Sequence, residues 1–259
     1  MNLSVQLVST DFDGTLFAEF ENPPVPEVLQ EQLAWLQRQG ATWVINTGRD
    51  LSSLMESIAR ARLTVRPDYV VTVEREIYRH HDHQYEAVGE WNERCTQEHA
   101  VLFDEVRAAL VEVVAWVDQN FEADVYTDVY SPFCLIARNN PDADAIQEYF
   151  GAFCRRFPRL AFVRNDVYAR LSHVAYNKGT ALAEICRRVG VRAEHVLAAG
   201  DHLNDLPMLS REFARWLVAP SNAVPQVKAR VLEQEGYVSH LHCGHGVAKG
   251  LELLLRGLR

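Results

Sequence analysis

Residues 3–15 read Leu3-Ser4-Val5-Gln6-Leu7-Val8-Ser9-Thr10-Asp11-Phe12-Asp13-Gly14-Thr15. Leu3 to Thr10 has the length and apolar content of a buried strand, and it runs straight into two acids. Side chains alternate along a strand, so Asp11 and Asp13 point to the same side of its C-terminal end. Gly14 lets the chain turn away sharply. Ligands of open α/β sheets bind at that edge. Carboxylates held so close repel each other unless a cation lies between them, and hard oxygen donors of this kind suit Mg²⁺. A lone Asp-x-Asp is more often a surface turn. The apolar strand feeding this one argues for a site.

Outward from this segment the pattern alternates. A helix is predicted over 27–39, a strand over 41–46, a helix after Asp50 as its cap, and a strand over 69–73. Strand and helix in turn imply a parallel sheet with helices on its faces. The pattern then changes. A polar hairpin over 76–88 precedes a long helix over 92–119, two strands over 123–138, a helix to 157, and two strands over 161–174. Alternation resumes at Lys178, with strands at 195–199 and 216–219 and helices near 206, over 224–232 and over 247–256. The expected fold is a doubly wound, Rossmann-like parallel-sheet core (residues 1–79 and 175–259) with an inserted α+β domain (80–174).

Bulk composition narrows the function classes. Hydrophobic residues make up 48% of the 259 and charged residues 24%, with a formal net charge of -9. That balance argues against nucleic acid or an anionic membrane as partner. It leaves room for a small anionic substrate, because a metal and a few cations reverse the field inside a cleft. Cys95, Cys134, Cys154, Cys186 and Cys243 are scattered and form no Cys-x-x-Cys pair, which fits reduced thiols in a cytoplasmic protein. A monomer or small homo-oligomer is expected.

Three more segments carry chemistry. Asn46-Thr47-Gly48-Arg49 ends the second strand, where a hydroxyl, a glycine amide and a guanidinium can hold phosphate oxygens. Lys178, in Asn177-Lys178-Gly179, opens a helix. A cation is unfavourable there unless an anion shares the site. Gly200-Asp201-His202-Leu203-Asn204-Asp205 follows another strand and adds two carboxylates and an amide. Buried acids need partners or a metal. Acids around a cation, opposite a lysine, are what phosphoryl transfer requires.

These four segments, in this order, resemble the motifs of the haloacid dehalogenase superfamily, and the long insertion resembles its α/β type II cap. The resemblance extends to Cof-like sugar phosphatases as close relatives, with sucrose-phosphate and mannosyl-3-phosphoglycerate phosphatases nearby. The resemblance implies a Mg²⁺-dependent phosphatase acting on a small phosphorylated metabolite. Asp11 would be the nucleophile and a metal ligand. Asp13 would protonate the leaving alcohol and ligate the metal through its carbonyl, and Asp201 would be the other protein ligand. Thr47, Gly48 and Asn204 would hold the phosphoryl group, with Arg49 beside them. Lys178 would neutralise charge, and Asp205 would orient Lys178 or a metal-bound water. Asn222-Ala223 resembles a further family landmark near the site. The chain departs from the family after its third strand, where Glu74-Arg75-Glu76 replaces an Asn-Gly or similar small pair.

Other polar clusters read more simply. His240, His242, Cys243 and His245 are too tightly spaced for tetrahedral zinc and suit a loop before the last helix. His80, His81 and His83 suit a hairpin tip. His202 either lines the pocket or packs. Among the arginines of the insertion, Arg138, Arg164 and Arg170 are the candidates for substrate contact. Two alternatives keep the same sequence features: a phosphomutase, marked by isomerised product, and a non-catalytic binding protein, which loss of Asp11, Asp13, Lys178 or Asp201 would have favoured.

Overall fold

The computed structural model describes residues 4–257, so Leu3, assigned to the first strand, lies outside the described residues. The strands are β1 (Leu7–Thr10), β2 (Thr42–Asn46), β3 (Tyr69–Thr72), β4 (Glu76–His81), β5 (Gln84–Ala87), β6 (Ala123–Tyr126), β7 (Cys134–Ala137), β8 (Leu160–Asn165), β9 (Tyr168–His173), β10 (Val196–Ala199), β11 (Trp216–Ala219) and β12 (Tyr237–Val238). The α-helices are α1 (Glu27–Arg38), α2 (Leu51–Ala61), α3 (Gly89–Asn120), α4 (Asn140–Cys154), α5 (Lys178–Val189), α6 (Pro225–Glu233) and α7 (Cys243–Gly257).

The chain divides into two compact units, residues 4–88 with 178–257, and Gly89–Asn177. The first holds an eight-stranded sheet in the order β12-β11-β10-β1-β2-β3-β4-β5. Its six strands from β12 to β3 are parallel, and β4 and β5 are antiparallel. Val8, Trp43, Ile45, Val70, Leu197 and Val218 join one buried cluster with Leu29, Leu33 and Leu36 of α1 and Val247 and Leu251 of α7. Their strand neighbours Leu7, Val44, Val71, Val196 and Leu217 are buried as well. Burial on both faces is what a parallel sheet demands, and it explains the near-continuous apolar runs. The order reverses between β1 and β10, and such a switch point opens a crevice at the strand C-termini.

The second unit holds the antiparallel sheet β6-β7-β9-β8. Its residues Leu135, Ala137, Leu160, Ala169 and Leu171 pack with Leu102, Val106, Val113 and Val117 of α3 and Ile146 and Phe150 of α4. One face of this sheet is therefore covered by helices.

Three expectations need correction. The insertion is predicted over 80–174, a start that falls inside β4. Tyr78 and Tyr85 pack against the parallel-sheet core, so the hairpin extends that sheet and the units part at 88/89 and 177/178. The helix expected near Leu206 is a single 3₁₀ turn, Leu203–Asp205. Pro207 follows it, and the Asp205 carboxylate folds back onto the Asp201 and His202 amides at 2.8 and 2.9 Å. The last helix begins at Cys243, not 247, because Gly244 and Gly246, read as loop residues, lie within it. The edge strand β12, two residues long, escaped the sequence pattern altogether.

Candidate active site

The buried strand β1 delivers Asp11 to the C-terminal edge of the sheet, where it is almost fully buried. On the far side of the switch point, β10 delivers Asp201 and the 3₁₀ turn carrying Asp205. Lys178, the first residue of α5, is fully buried between them. Its Nζ donates to Asp11 Oδ1 and to Asp205 Oδ1, each at 2.6 Å. Asn46, at the end of β2, fixes the start of α5 by donating to the Lys178 carbonyl at 2.9 Å. A lysine at a helix N-terminus opposes the helix dipole. Here two carboxylates reverse that cost.

Acids outnumber cations in this cluster. Ligand oxygens of Asp11, Asp201 and Asp205 all lie within 4.8 Å of one another, with Lys178 as the cation among them. Burial and the Asp205 charge push the Asp11 carboxyl well above its ordinary range, against the pull of Lys178. The same two causes, in the same order, push Asp201 up to about 7. For Lys178, burial alone would lower the pKa, but Asp11, Asp205 and then Glu74 outweigh it and hold the ammonium above its usual value. Such an arrangement is short of positive charge. Hard oxygens within one ion's reach fit a divalent cation such as Mg²⁺.

The supporting contacts favour Asp11 and Asp201 as its ligands. Asp205 is spent on Lys178 and two backbone amides. Asp201 is oriented by Thr15 Oγ1, which donates to its Oδ1 at 2.7 Å, and by Asn222 Nδ2 at 3.3 Å from its Oδ2. Asn222 also donates to the Gly14 carbonyl at 2.8 Å. Gly14 has φ +73°, and a Cβ there would lie 2.4 Å from Asp201 Oδ2, so glycine is required both by the turn and by the close approach.

A pH dependence follows from the Asp201 shift. Its ordinary pKa is 3.8. Between that value and about 7 the native carboxyl keeps a proton that the unfolded chain has released. The native state therefore binds more protons, and stability falls as pH rises through this window. The metal-free protein is expected to melt lower at pH 7.5 than at pH 5. Mg²⁺ should stabilise it little at pH 5 and by several degrees at pH 7.5. Thermal melts with and without Mg²⁺ check this, and a Mg²⁺ effect independent of pH would contradict it.

The remaining predicted residues are placed as follows. Thr47 is buried after β2, and its Oγ1 accepts from the Arg49 amide at 3.2 Å. Arg49 is engaged by Asp13 and by the first turns of α2. Its guanidinium grips both oxygens of Asp13, at 2.7 and 2.8 Å, and donates to Ser53 and Ser57 at 3.0 Å. Asn204 is buried and donates from Nδ2 to Glu74 Oε1 at 2.9 Å. His202 starts the 3₁₀ turn. Cys243 and His245 lie on α7, with His245 Nε2 3.9 Å from Glu21. In the second unit Arg138 pairs with Glu122, and Arg164 is clamped by Asp144, Gln147 and Asn140. Arg170 is less engaged: Asp128 lies 3.8 Å away, and the buried Nη1 has no hydrogen-bond partner among the described residues. Thr15 and Asn46 lie inside the motif segments, but sequence reasoning gave them no role of their own, because a small polar side chain does not announce its partner. The Glu74 signal was present, as a departure from the family pattern.

Carboxylates from two strand ends flanking a switch point, closed on a buried lysine, define an enzyme centre on a Rossmann-like core. A family model of haloacid dehalogenase-like hydrolases matches residues 111–251, more than half of the chain, and the chain belongs to that family. A model of sucrose-6F-phosphate phosphohydrolase matches residues 4–122. The Bacillus subtilis protein YxeH is 23% identical over 278 residues, spanning 96% of this chain and 98% of that protein. A phosphoglycolate phosphatase of Methanothermobacter thermautotrophicus is 35% identical over 81 residues, 31% of this chain and 34% of that protein. Among solved structures, the Synechocystis sucrose-phosphatase in complex with sucrose and phosphate matches with a TM-score of 0.72 at 17% identity, covering 97% of this chain and 98% of that one. Among the described residues, no helix is long and apolar enough to cross a membrane.

Proposed function

We propose that this chain is a Mg²⁺-dependent phosphatase that hydrolyses a small phosphorylated metabolite of the sugar phosphate class, through a phospho-aspartate on Asp11. The observation that carries the reading is the buried Asp11–Lys178–Asp205 chain of hydrogen bonds with Asp201 beside it. Its membership of a hydrolase family and its similarity to named phosphatases support the same reading.

Asp11 is the nucleophile. A carboxylate is a weak one, and an anionic phosphate repels it, so it needs positive charge nearby. Lys178 supplies part of that charge from a fixed position and so requires no rearrangement at the moment of reaction. Asp11, Asp201 and the Asp13 carbonyl would hold Mg²⁺, which when bound would supply the remaining positive charge. Asp205 holds Lys178. Thr47, Gly48 and Asn204 orient the phosphoryl group. Asp13 protonates the leaving alcohol. Both its oxygens are bound to Arg49, so it must trade that partner for the leaving oxygen. The phospho-aspartate is then hydrolysed, with Asp13 taking a proton from the attacking water.

The test is phosphate release from a panel of phosphorylated metabolites, with and without Mg²⁺. Asp13→Asn is expected to lower kcat/KM, which reports the steps up to departure of the alcohol, by about 10²- to 10⁴-fold for esters with alcohol leaving groups. The loss should shrink markedly for p-nitrophenyl phosphate, whose leaving group needs no proton. Equal losses on both substrates would remove Asp13 from the acid role. Absence of Mg²⁺-dependent release across the panel would end the phosphatase reading.

A further inference from the structure

Resting on the phosphatase reading above, we propose that Glu74 borders the phosphoryl cradle as an internal anion and weakens the hold on inorganic phosphate. Its side chain is buried although it ends in a carboxylate. Oε1 accepts from Asn204 Nδ2 at 2.9 Å, and a Cβ added to Gly48 would lie 3.2 Å from the same oxygen. Glu74 also adds to the field on Lys178. Gly48, Asn204 and Lys178 are the groups assigned to the phosphoryl oxygens. Glu74 therefore borders the donors that a phosphate would use.

The backbone is built to keep it there. Val73 has φ +43° and Glu74 φ +66°, conformations that cost energy in residues with a Cβ, above all in a β-branched one. Both residues are tied to the phosphate-binding turn: the Val73 amide donates to the Arg49 carbonyl and the Glu74 amide to the Thr47 carbonyl, each at 2.9 Å. Two consecutive left-handed residues thus carry the carboxylate back over the turn after β2. Glycine would accept this backbone without strain, yet the chain places a charged side chain there.

The consequence follows from charge. A phosphate dianion entering beside Glu74 meets an extra negative charge in a buried, low-dielectric place, where repulsion is far stronger than in water. The transferring phosphoryl group spreads its charge towards Asp11 and the leaving oxygen, so the ground-state dianion and the free product suffer more than the transition state. Glu74 thereby raises KM and speeds loss of phosphate, with a smaller effect on the chemical step.

The experiment compares the intact Mg²⁺-bound wild type with Glu74→Gln. Glutamine keeps an oxygen for the Asn204 amide and removes the charge. Inhibition constants for inorganic phosphate come from steady-state kinetics, and calorimetric titration with phosphate gives a second readout independent of turnover. Glu74→Gln is expected to tighten phosphate by about tenfold in both measurements and to lower KM in parallel. Glu74→Asp, which keeps the charge, should stay within about threefold of wild type in its phosphate constant. Unchanged or weaker phosphate binding by a folded Glu74→Gln protein would overturn the proposal. Failure of wild type to release phosphate from any ester would instead strike the phosphatase reading itself.

Discussion

Asp11→Asn is expected to lower kcat by about 10⁴-fold or more while leaving the metal-free protein at least as stable as wild type. The two effects have one cause. Asp11 supplies the attacking oxygen in the proposed chemistry, and an amide does not attack phosphorus and lacks the negative charge with which a carboxylate holds a divalent ion. The ionised carboxylate is also a burden on the fold: burial and the neighbouring Asp205 charge both disfavour it. Asparagine relieves that repulsion and still offers an oxygen to Lys178 Nζ. Without Mg²⁺ at pH 7.5, the variant should melt at or above the wild-type temperature, and Mg²⁺ should stabilise it less. Kinetics and thermal melts run on the same preparations decide the matter. Wild-type turnover in a pure sample would mean that another residue attacks the substrate.

Lys178→Met is expected to do the opposite to stability and the same to activity. Removing the ammonium leaves Asp11 and Asp205 facing each other, with their shared partner gone. Breaking a buried ion pair by deleting one member typically costs about 3–5 kcal/mol, which for a chain of this size corresponds to a fall in Tm of about 10 °C. kcat should fall by about 10³-fold or more, as when a fixed charge facing the transition state is lost. Lys178→Arg should fail as well, because the space around a fully buried Nζ does not admit a planar fork. The double variant Asp11→Asn/Lys178→Met should melt above Lys178→Met alone, since it removes one of the stranded charges. Strict additivity of the two single effects in melts would show that the side chains do not interact.

Much of the fold was legible because burial writes itself into pattern. The strands β1, β2, β3 and β10 are covered on both faces, so their sequences are short apolar runs between polar turns. The Asp50 cap was readable for the same local reason: its carboxylate takes the Ser53 amide at 2.9 Å, three residues on. The motif residues Asp11, Thr47, Lys178 and Asp201 stood out because each follows or opens an element whose period is clear. The weaker elements were harder. The two-residue β12 is too short to show a period, and the turn at Leu203–Asp205 is shaped by a side chain folding back on its own backbone. The hairpin Glu76–Ala87 gave no sign of which unit it joins, because Tyr78 and Tyr85 find their partners by tertiary contact.

Readable along the chain are the order of strands and helices, the acid-bearing ends of two core strands, and the class of chemistry those ends can support. These depend on spacing along the chain, and spacing is local. Which groups satisfy one another was decided only in three dimensions. Arg49 grips Asp13 because both oxygens of that carboxylate lie within its fork. Glu74, an oddity in the linear pattern, reaches the Asn204 amide across 130 positions of sequence. Charge pairing acts through space over a few ångströms, and distances that short between remote residues are set by how the sheet closes, which no stretch of sequence records.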